Sequence, residues 1–172
     1  QIAASVAVFG AGLASVTLLL QSSKRRSAID AALSTSPTSW DLLARQYDEK
    51  IDREERKMKL ERLRREFLVA GVHGVVLEVA AGTGRNLPFL CCCAIDKLLL
   101  VDSSEQMVAQ IEAKLQSLPP DCHLAAHAQV ADAQALPFES DSMDFVLSSF
   151  SLCSVDSPSA ALAEMARVLR PN

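Results

Sequence analysis

Two glycines and an aspartate set the chemistry to be expected of this 172-residue chain. Gly82 and Gly84 lie in the stretch AAGTGRN, directly after the apolar run from Val75 to Val79. Glycine admits backbone conformations and a close ligand approach that a Cβ resists. A second apolar run, KLLLVD, ends on Asp102, 18 residues beyond Gly84. That is close to the spacing at which an acidic residue at the tip of a second strand meets a ribose. A carboxylate suits that place because it accepts hydrogen bonds from both vicinal hydroxyls. Asp102 has a compatible structural role as well, N-capping a helix in SSEQMVAQIEAKL. The loop has no Gly-Lys-Ser/Thr, so it lacks the lysine of a triphosphate loop, and it lacks the third glycine of the dinucleotide fingerprint.

Other reactive residue types point away from metal chemistry. Cys91, Cys92 and Cys93 are consecutive, with neighbouring Cα atoms ~3.8 Å apart, too constrained to bridge one another without strain. There is no CxxC, and His73, His123 and His127 are not at zinc-finger spacing from a cysteine pair. No metal site is expected, and the cysteine usage reads as that of a thiol-reducing compartment. Cys153, beyond the fourth apolar run, reads as a buried structural thiol, and no catalytic base is assigned. The formal charge of −4 gives no whole-chain attraction to nucleic acid or anionic lipid, so local clusters must be judged separately.

The elements that must position these residues fall into four segments. Residues 1–21 contain IAASVAVFGAGLASVTLLL, 19 residues without a charge. As a helix this run is about 28 Å long, close to the ~30 Å hydrocarbon core, so a transmembrane helix is expected. A signal peptide and a buried helix are the rival readings. Lys24, Arg25 and Arg26 follow and favour placing the remaining chain on the cytoplasmic or matrix side. Residues 22–39 read as a turn-rich linker. Residues 40–70 read as one or two charged, solvent-exposed helices, with Leu60, Leu63 and Phe67 as a narrow docking stripe; Arg62, Arg64 and Arg65 read as a solvated face, the sharper alternative being a partner-binding or RNA-touching one. Tyr47 is a candidate for closure over a ligand, its alternative being simple packing. In residues 71–172, apolar runs from Val75, from Lys97, near Leu124 to Val130 and within MDFVLSSFSL alternate with helical patterns, which predicts an α/β fold with a parallel sheet. SPSAALAEMARVLRPN reads as an amphipathic helix with Leu162, Met165, Ala166 and Leu169 on one side.

Four blocks, VLEVAAGTGRN, LLLVDSSEQMV, ADAQALPFESDSMDFVLSSFSLCSV and ALAEMARVLRP, in this order and spacing resemble the class I S-adenosylmethionine-dependent methyltransferases. The likeness is greatest to the branch with the quinone-biosynthesis C-methyltransferases. With the apolar N-terminal run and YDEKID, the chain is most similar to membrane-anchored mitochondrial methyltransferase-like proteins; the methyltransferase-like protein 7 group of thiol methyltransferases is a second match. The resemblance implies a partial Rossmann-like sheet over residues 71–172 and S-adenosylmethionine as cofactor. It implies that Glu78, Ala80, Gly82 and Gly84 line the methionine and sugar side, that Asp102 takes the ribose hydroxyls with Ser103 beside it, that Asp132 and Ala133 meet the adenine, and that Ser148 lies near the methionine moiety.

Two departures accompany the resemblance. Ala80 stands where the family commonly has Gly, an expected weakening of cofactor binding. The family also continues through three further strands beyond Pro171, so the fourth strand is expected to expose an edge, and a longer protein is expected. The function expected is methyl transfer to a small acceptor, quinone-like or thiol, at the mitochondrial inner membrane with the globular part on the matrix side. The alternative is a non-catalytic structural or assembly subunit of a large mitochondrial complex. Nucleic acid is not indicated as a partner.

Overall fold

The computed structural model describes residues 6–9, 37–69, 71–91 and 93–171. Its centre is a five-stranded, wholly parallel sheet in the order β1-β5-β2-β3-β4. The strands are β1 (Val6–Phe9), β2 (His73–Val79), β3 (Ala94–Asp102), β4 (Ala126–Val130) and β5 (Phe145–Ser149). The helices are α1 (Pro37–Met58), α2 (Leu60–Val69), the single turn α3 (Leu87–Leu90), α4 (Glu105–Gln116) and α5 (Pro158–Val168).

The central strands are apolar on both sides because helices cover both faces of a parallel sheet. Val76, Leu98, Leu100 and Leu147 pack with Leu68, Leu87, Val108 and Ile111 on one side. Leu77, Val79, Val101 and Val146 pack with Ala161, Met165 and Val168 on the other. In α5 the inward residues are Ala161, Met165 and Val168, whereas Leu162 is exposed. The expected α/β fold is therefore present.

The N-terminal expectations change. Val6–Phe9, four residues of the run read as a transmembrane helix, form a strand that pairs with β5, Val6 opposite Val146 and Phe9 opposite Ser149. The rest of the 1–21 segment and the linker up to residue 36 lie outside the described residues. No helix among the described residues is long and apolar enough to cross a membrane. The edge of β5 that was expected to be open is thus occupied. Unpaired N–H and C=O groups make such an edge a template, and a β-branched, uncharged segment suits it.

The charged segment 40–70 is helical, but its docking face differs. Lys59 takes a left-handed conformation, φ 54°, and divides α1 from α2. In α2, Leu63 is exposed while Arg64 and Leu68 turn inward; the side chain of Phe67 lies outside what the structure describes. A buried ion pair, not the apolar stripe, sets the helix's rotation. Arg64 is consequently no part of a partner-binding face. Cys91 and Cys122 are brought side by side, with their Cα atoms 5.8 Å apart; Cys153, expected to be buried, is exposed, its thiol against the Phe150 carbonyl.

Candidate functional site

The carboxyl ends of β2, β3 and β5 meet at the glycine loop, where ligands of open α/β sheets bind. β2 runs out at Val79, and the chain turns sharply through Ala80 and Gly82, both left-handed at φ 52° and 58°. The turn is fixed from the neighbouring strand. Ala81 N–H donates to the Val101 carbonyl at 2.9 Å, and Gly82 N–H donates to Asp102 Oδ2 at 2.8 Å. Asp102 Oδ1 accepts from Ser104 N–H at 3.0 Å. The cap of α4 is Ser104, whose hydroxyl accepts from Met107 N–H at 3.1 Å. Asp102 is therefore not the cap; its carboxylate faces the loop, and each oxygen retains acceptor capacity for a hydroxyl. Burial pushes its carboxyl up, against the pull of the Ser104 and Gly82 N–H groups. A Cβ built on Gly82 meets nothing within 4 Å, so open space lies beside this carboxylate.

Ala80 explains how the loop survives the loss of a glycine. Its backbone occupies the left-handed region, at a cost of about 1 kcal/mol relative to glycine. Ala80→Gly is expected to raise stability by up to about 1 kcal/mol, offset in part by unfolded-state entropy; a urea titration checks it, and a destabilised variant would contradict the strain.

Beneath the loop lies a buried polar chain. Glu78 is 2% exposed; its Oε1 accepts from Asn86 Nδ2 at 2.7 Å, and its Oε2 has no hydrogen-bond partner among the described residues. Asn86 Nδ2 also donates to Ser149 Oγ at 3.1 Å, and Asn86 Oδ1 accepts from Arg64 Nη1 at 2.5 Å. Burial raises the Glu78 carboxyl to about 7, opposed by Asn86 and Arg64. Folded Glu78 therefore holds a proton that the unfolded chain, with an ordinary value of 4.5, releases between pH 4.5 and 7. Stability falls as pH rises through that window. Glu78→Gln is expected to raise the melting temperature at pH 8 by several degrees and to leave it unchanged at pH 4; equal shifts at both pH values would rule the titration out.

Helix α1 closes one side of the loop with acidic residues about one turn apart. Asp48 Oδ1 accepts from Thr83 Oγ1 at 2.5 Å and Arg85 Nη1 at 3.0 Å, while its Oδ2 meets Lys114 Nζ at 2.5 Å. Burial raises the Asp48 carboxyl, but the hydrogen bonds from Lys114 and Thr83 outweigh it and hold it below its ordinary value. Arg85 Nη2 also reaches Asp52 at 2.7 Å and Glu55 at 2.8 Å. Asp41 accepts from Ser104 Oγ at 2.5 Å. Tyr47 is half-buried, edge-on to Trp40 with ring centroids 6.3 Å apart. Burial first, then Glu55, raises its hydroxyl, and Asp102 acts in the same direction.

The remaining predicted residues are spread around this centre. Asp132 is exposed past the end of β4, accepting from Gln134 N–H at 2.8 Å. Ala133 is buried in the core beside α5, and Ser103 is exposed. Gly84 is buried, with Leu87 against its α-carbon. Ser148 is buried, donating to the Val79 carbonyl at 3.1 Å and bonded to Ser151. Ser149, not Ser148, joins the Glu78–Asn86 chain. Sequence reasoning missed Asn86, Arg85, Arg64 and Asp48; the recurrence of Asp48, Asp52 and Glu55 on one helical face was the available signal.

A parallel sheet with a glycine loop facing a carboxylate at the next strand tip defines a nucleotide-cofactor protein of the doubly wound class. Residues 77–172 match the methyltransferase domain family, and the chain belongs to it. It is 30% identical over 142 residues to the mitochondrial methyltransferase OMS1 of Saccharomyces cerevisiae, covering 75% of this chain and 30% of that protein. It is 40% identical over 96 residues to a demethylmenaquinone methyltransferase of Renibacterium salmoninarum, covering 56% of this chain and 37% of that one. Among solved structures, the complex of the Haloferax volcanii Trm112 activator and its methyltransferase aligns with a TM-score of 0.61 at 26% identity, over 77% of this chain and 56% of that one. A SAM-dependent methyltransferase of Aquifex aeolicus aligns with a TM-score of 0.54 at 25% identity, over 64% and 58%. The chain spans about a third of the length of the curated relatives it matches.

The cofactor implied by this family is S-adenosylmethionine, and the site fits it. The buried, unpartnered Oε2 of Glu78 suits an ammonium. Asp102 suits a ribose diol, and the open space at Gly82 admits a ligand where a side chain would fill it.

Proposed function

We propose that the protein is an S-adenosylmethionine-dependent methyltransferase acting on a small acceptor, quinone-like or thiol, in mitochondria. The observation that carries this reading is the pair of carboxylates at the glycine loop: buried Glu78 with one oxygen free, and Asp102 bridging Gly82 and Ser104. The bound cofactor supplies a methyl group on a sulfonium sulfur, open to in-line displacement. The chain's part is to hold and orient it. Glu78 receives the methionine ammonium, Asp102 the ribose hydroxyls, and Asp132 the adenine amino group, with the backbone of Ala133 against the ring. Gly82 gives the backbone its close approach, while Gly84 lets the turn pack on Leu87 and Ile111; Ala80 and Ser103 flank the loop. Ser148 braces the end of β5 through Val79. Closure by α1 and Tyr47 excludes water, which is the main contribution asked of the protein in such a transfer.

The relatives' names support a quinone-like acceptor and the mitochondrial compartment. The apolar N-terminal run is proposed to attach the protein to the inner membrane, with the globular part on the matrix side. Attachment by a spanning helix and pairing of Val6–Phe9 with β5 exclude one another, and alkaline extraction of mitochondrial membranes separates them. The test of the activity is incubation of the full-length protein with methyl-labelled cofactor and a mitochondrial lipid extract. Label in an organic-phase product is expected; label confined to protein or RNA would reject the acceptor class, and no transfer at all would favour assembly within a mitochondrial complex without catalysis.

A further inference from the structure

Helix α1 has two faces of opposite charge. Asp41, Asp48, Asp52 and Glu55 point to the glycine loop and α4, where their partners lie. Lys50, Arg53 and Lys57 lie on the opposite side and Arg56 at its flank, all exposed, with the exposed Glu49 and Glu54 among them. Of the basic residues, Lys57 pairs with Glu54 at 2.8 Å, and the other three have no ion pair among the described residues. Leu42, 82% exposed, falls eleven residues before Arg53 and so on the same side of the helix, three turns away. The basic surface continues across the Lys59 bend, where Arg56, Lys59, Arg62 and Arg65 line a recess of ≈ 350 Å³ together with Glu61. Arg62 pairs with Glu66 and Arg65 with Glu61, both exposed, and such pairs are worth little and are readily exchanged; Arg65 also stands over the Phe89 ring, 5.6 Å from its centre. Met58 and Leu63 are exposed at the same bend.

We infer that this outer face of α1 and the bend to α2 is a docking surface for an anionic phospholipid membrane. Basic side chains interleaved with exposed aliphatic ones match anionic headgroups above and the acyl boundary beneath. Single-stranded RNA is less well matched, because binding it calls for stacking aromatics, and α1's Trp40 and Tyr47 are instead half-buried and packed on each other. The net charge of −4 does not oppose the inference, since four of the six acidic residues of α1 are turned to the inward face, and the outer face with the bend keeps Lys50, Arg53, Arg56, Lys57, Lys59, Arg62 and Arg65 against Glu49, Glu54, Glu61 and Glu66. The consequence is positional: the helix that covers the cofactor loop is the one laid on the bilayer, about one helix diameter (~10 Å) from the headgroups. The surface acts independently of the N-terminal run, whose attachment needs no lipid charge.

The test is co-sedimentation of the full chain with vesicles of phosphatidylcholine alone or mixed with phosphatidylserine. The wild type is expected to bind the mixed vesicles at least about tenfold more tightly, with the preference collapsing at high salt. The triple variant Lys50→Glu, Arg53→Glu, Arg56→Glu should lose the preference while retaining any binding to phosphatidylcholine and its affinity for S-adenosylmethionine. The corresponding Gln variant, which adds no repulsion, should lose part of it. Equal binding of the wild type to both vesicles, an unchanged preference in both variants, or displacement from vesicles by an RNA oligomer that binds more tightly would each overturn the inference. Failure of the N-terminal attachment would show separately, as absence of binding to phosphatidylcholine.

Discussion

Asp102→Ala is expected to weaken binding of S-adenosylmethionine by about 100-fold or more. A hydrogen bond to a charged group contributes about 1.5–3 kcal/mol, and the ribose diol makes two with one carboxylate. The same carboxylate anchors the Gly82 and Ser104 N–H groups, so part of the loss comes from a loosened loop. Asp102→Asn separates the contributions. Its amide oxygen keeps one acceptor, the side chain keeps its shape, and a loss of about tenfold is expected. Calorimetry on the folded variants reads both values. An affinity unchanged in Asp102→Ala would remove the assignment of the ribose to this residue.

The largest effect on stability is expected at Arg64. Its guanidinium is 8% exposed, donates to Glu55 at 2.6 Å and to Asn86 at 2.5 Å, and lies 5.5 Å from the Phe150 ring centre. Arg64→Ala leaves the Asn86 oxygen without its donor and Glu55 with Arg85 alone. Breaking a buried pair from one side costs about 3–5 kcal/mol, or roughly 6–20 °C in melting temperature for a domain of this size. Arg64→Lys should recover little, because a point charge cannot fork to both partners. Because Asn86 holds Glu78, cofactor affinity should fall in parallel. A melting temperature within a degree of the wild type would show that the pair contributes nothing.

The central strands were legible because burial on both faces demands apolar runs, and those from Val75 to Val79, broken only by Glu78, and from Leu98 to Val101 are rich in β-formers and bounded by turn residues. Asp102 followed from them, since the strand tip and its distance from the glycines fix where it stands. α2 was misread because a stripe of Leu60, Leu63 and Phe67 carries a visible period, whereas the affinity of Arg64 for Glu55 and Asn86 depends on residues 9 and 22 positions away. The same non-locality hid Arg85 and Asp48. Val6–Phe9 was illegible for another reason: an apolar run of β-branched and small residues satisfies helix and strand alike, and the choice rests with a partner near residue 147.

That pairing has a consequence during synthesis. The segment at Val6–Phe9 leaves the ribosome before its partner at Val146–Ser149, which follows only after about 140 further residues, roughly ten to thirty seconds at ordinary elongation rates. For that interval an uncharged, strand-prone stretch has no native place to go. A chaperone or a bilayer can take it up in that interval, so on the proposed membrane attachment the order of synthesis bears on the competition between membrane and sheet edge as well as equilibrium does.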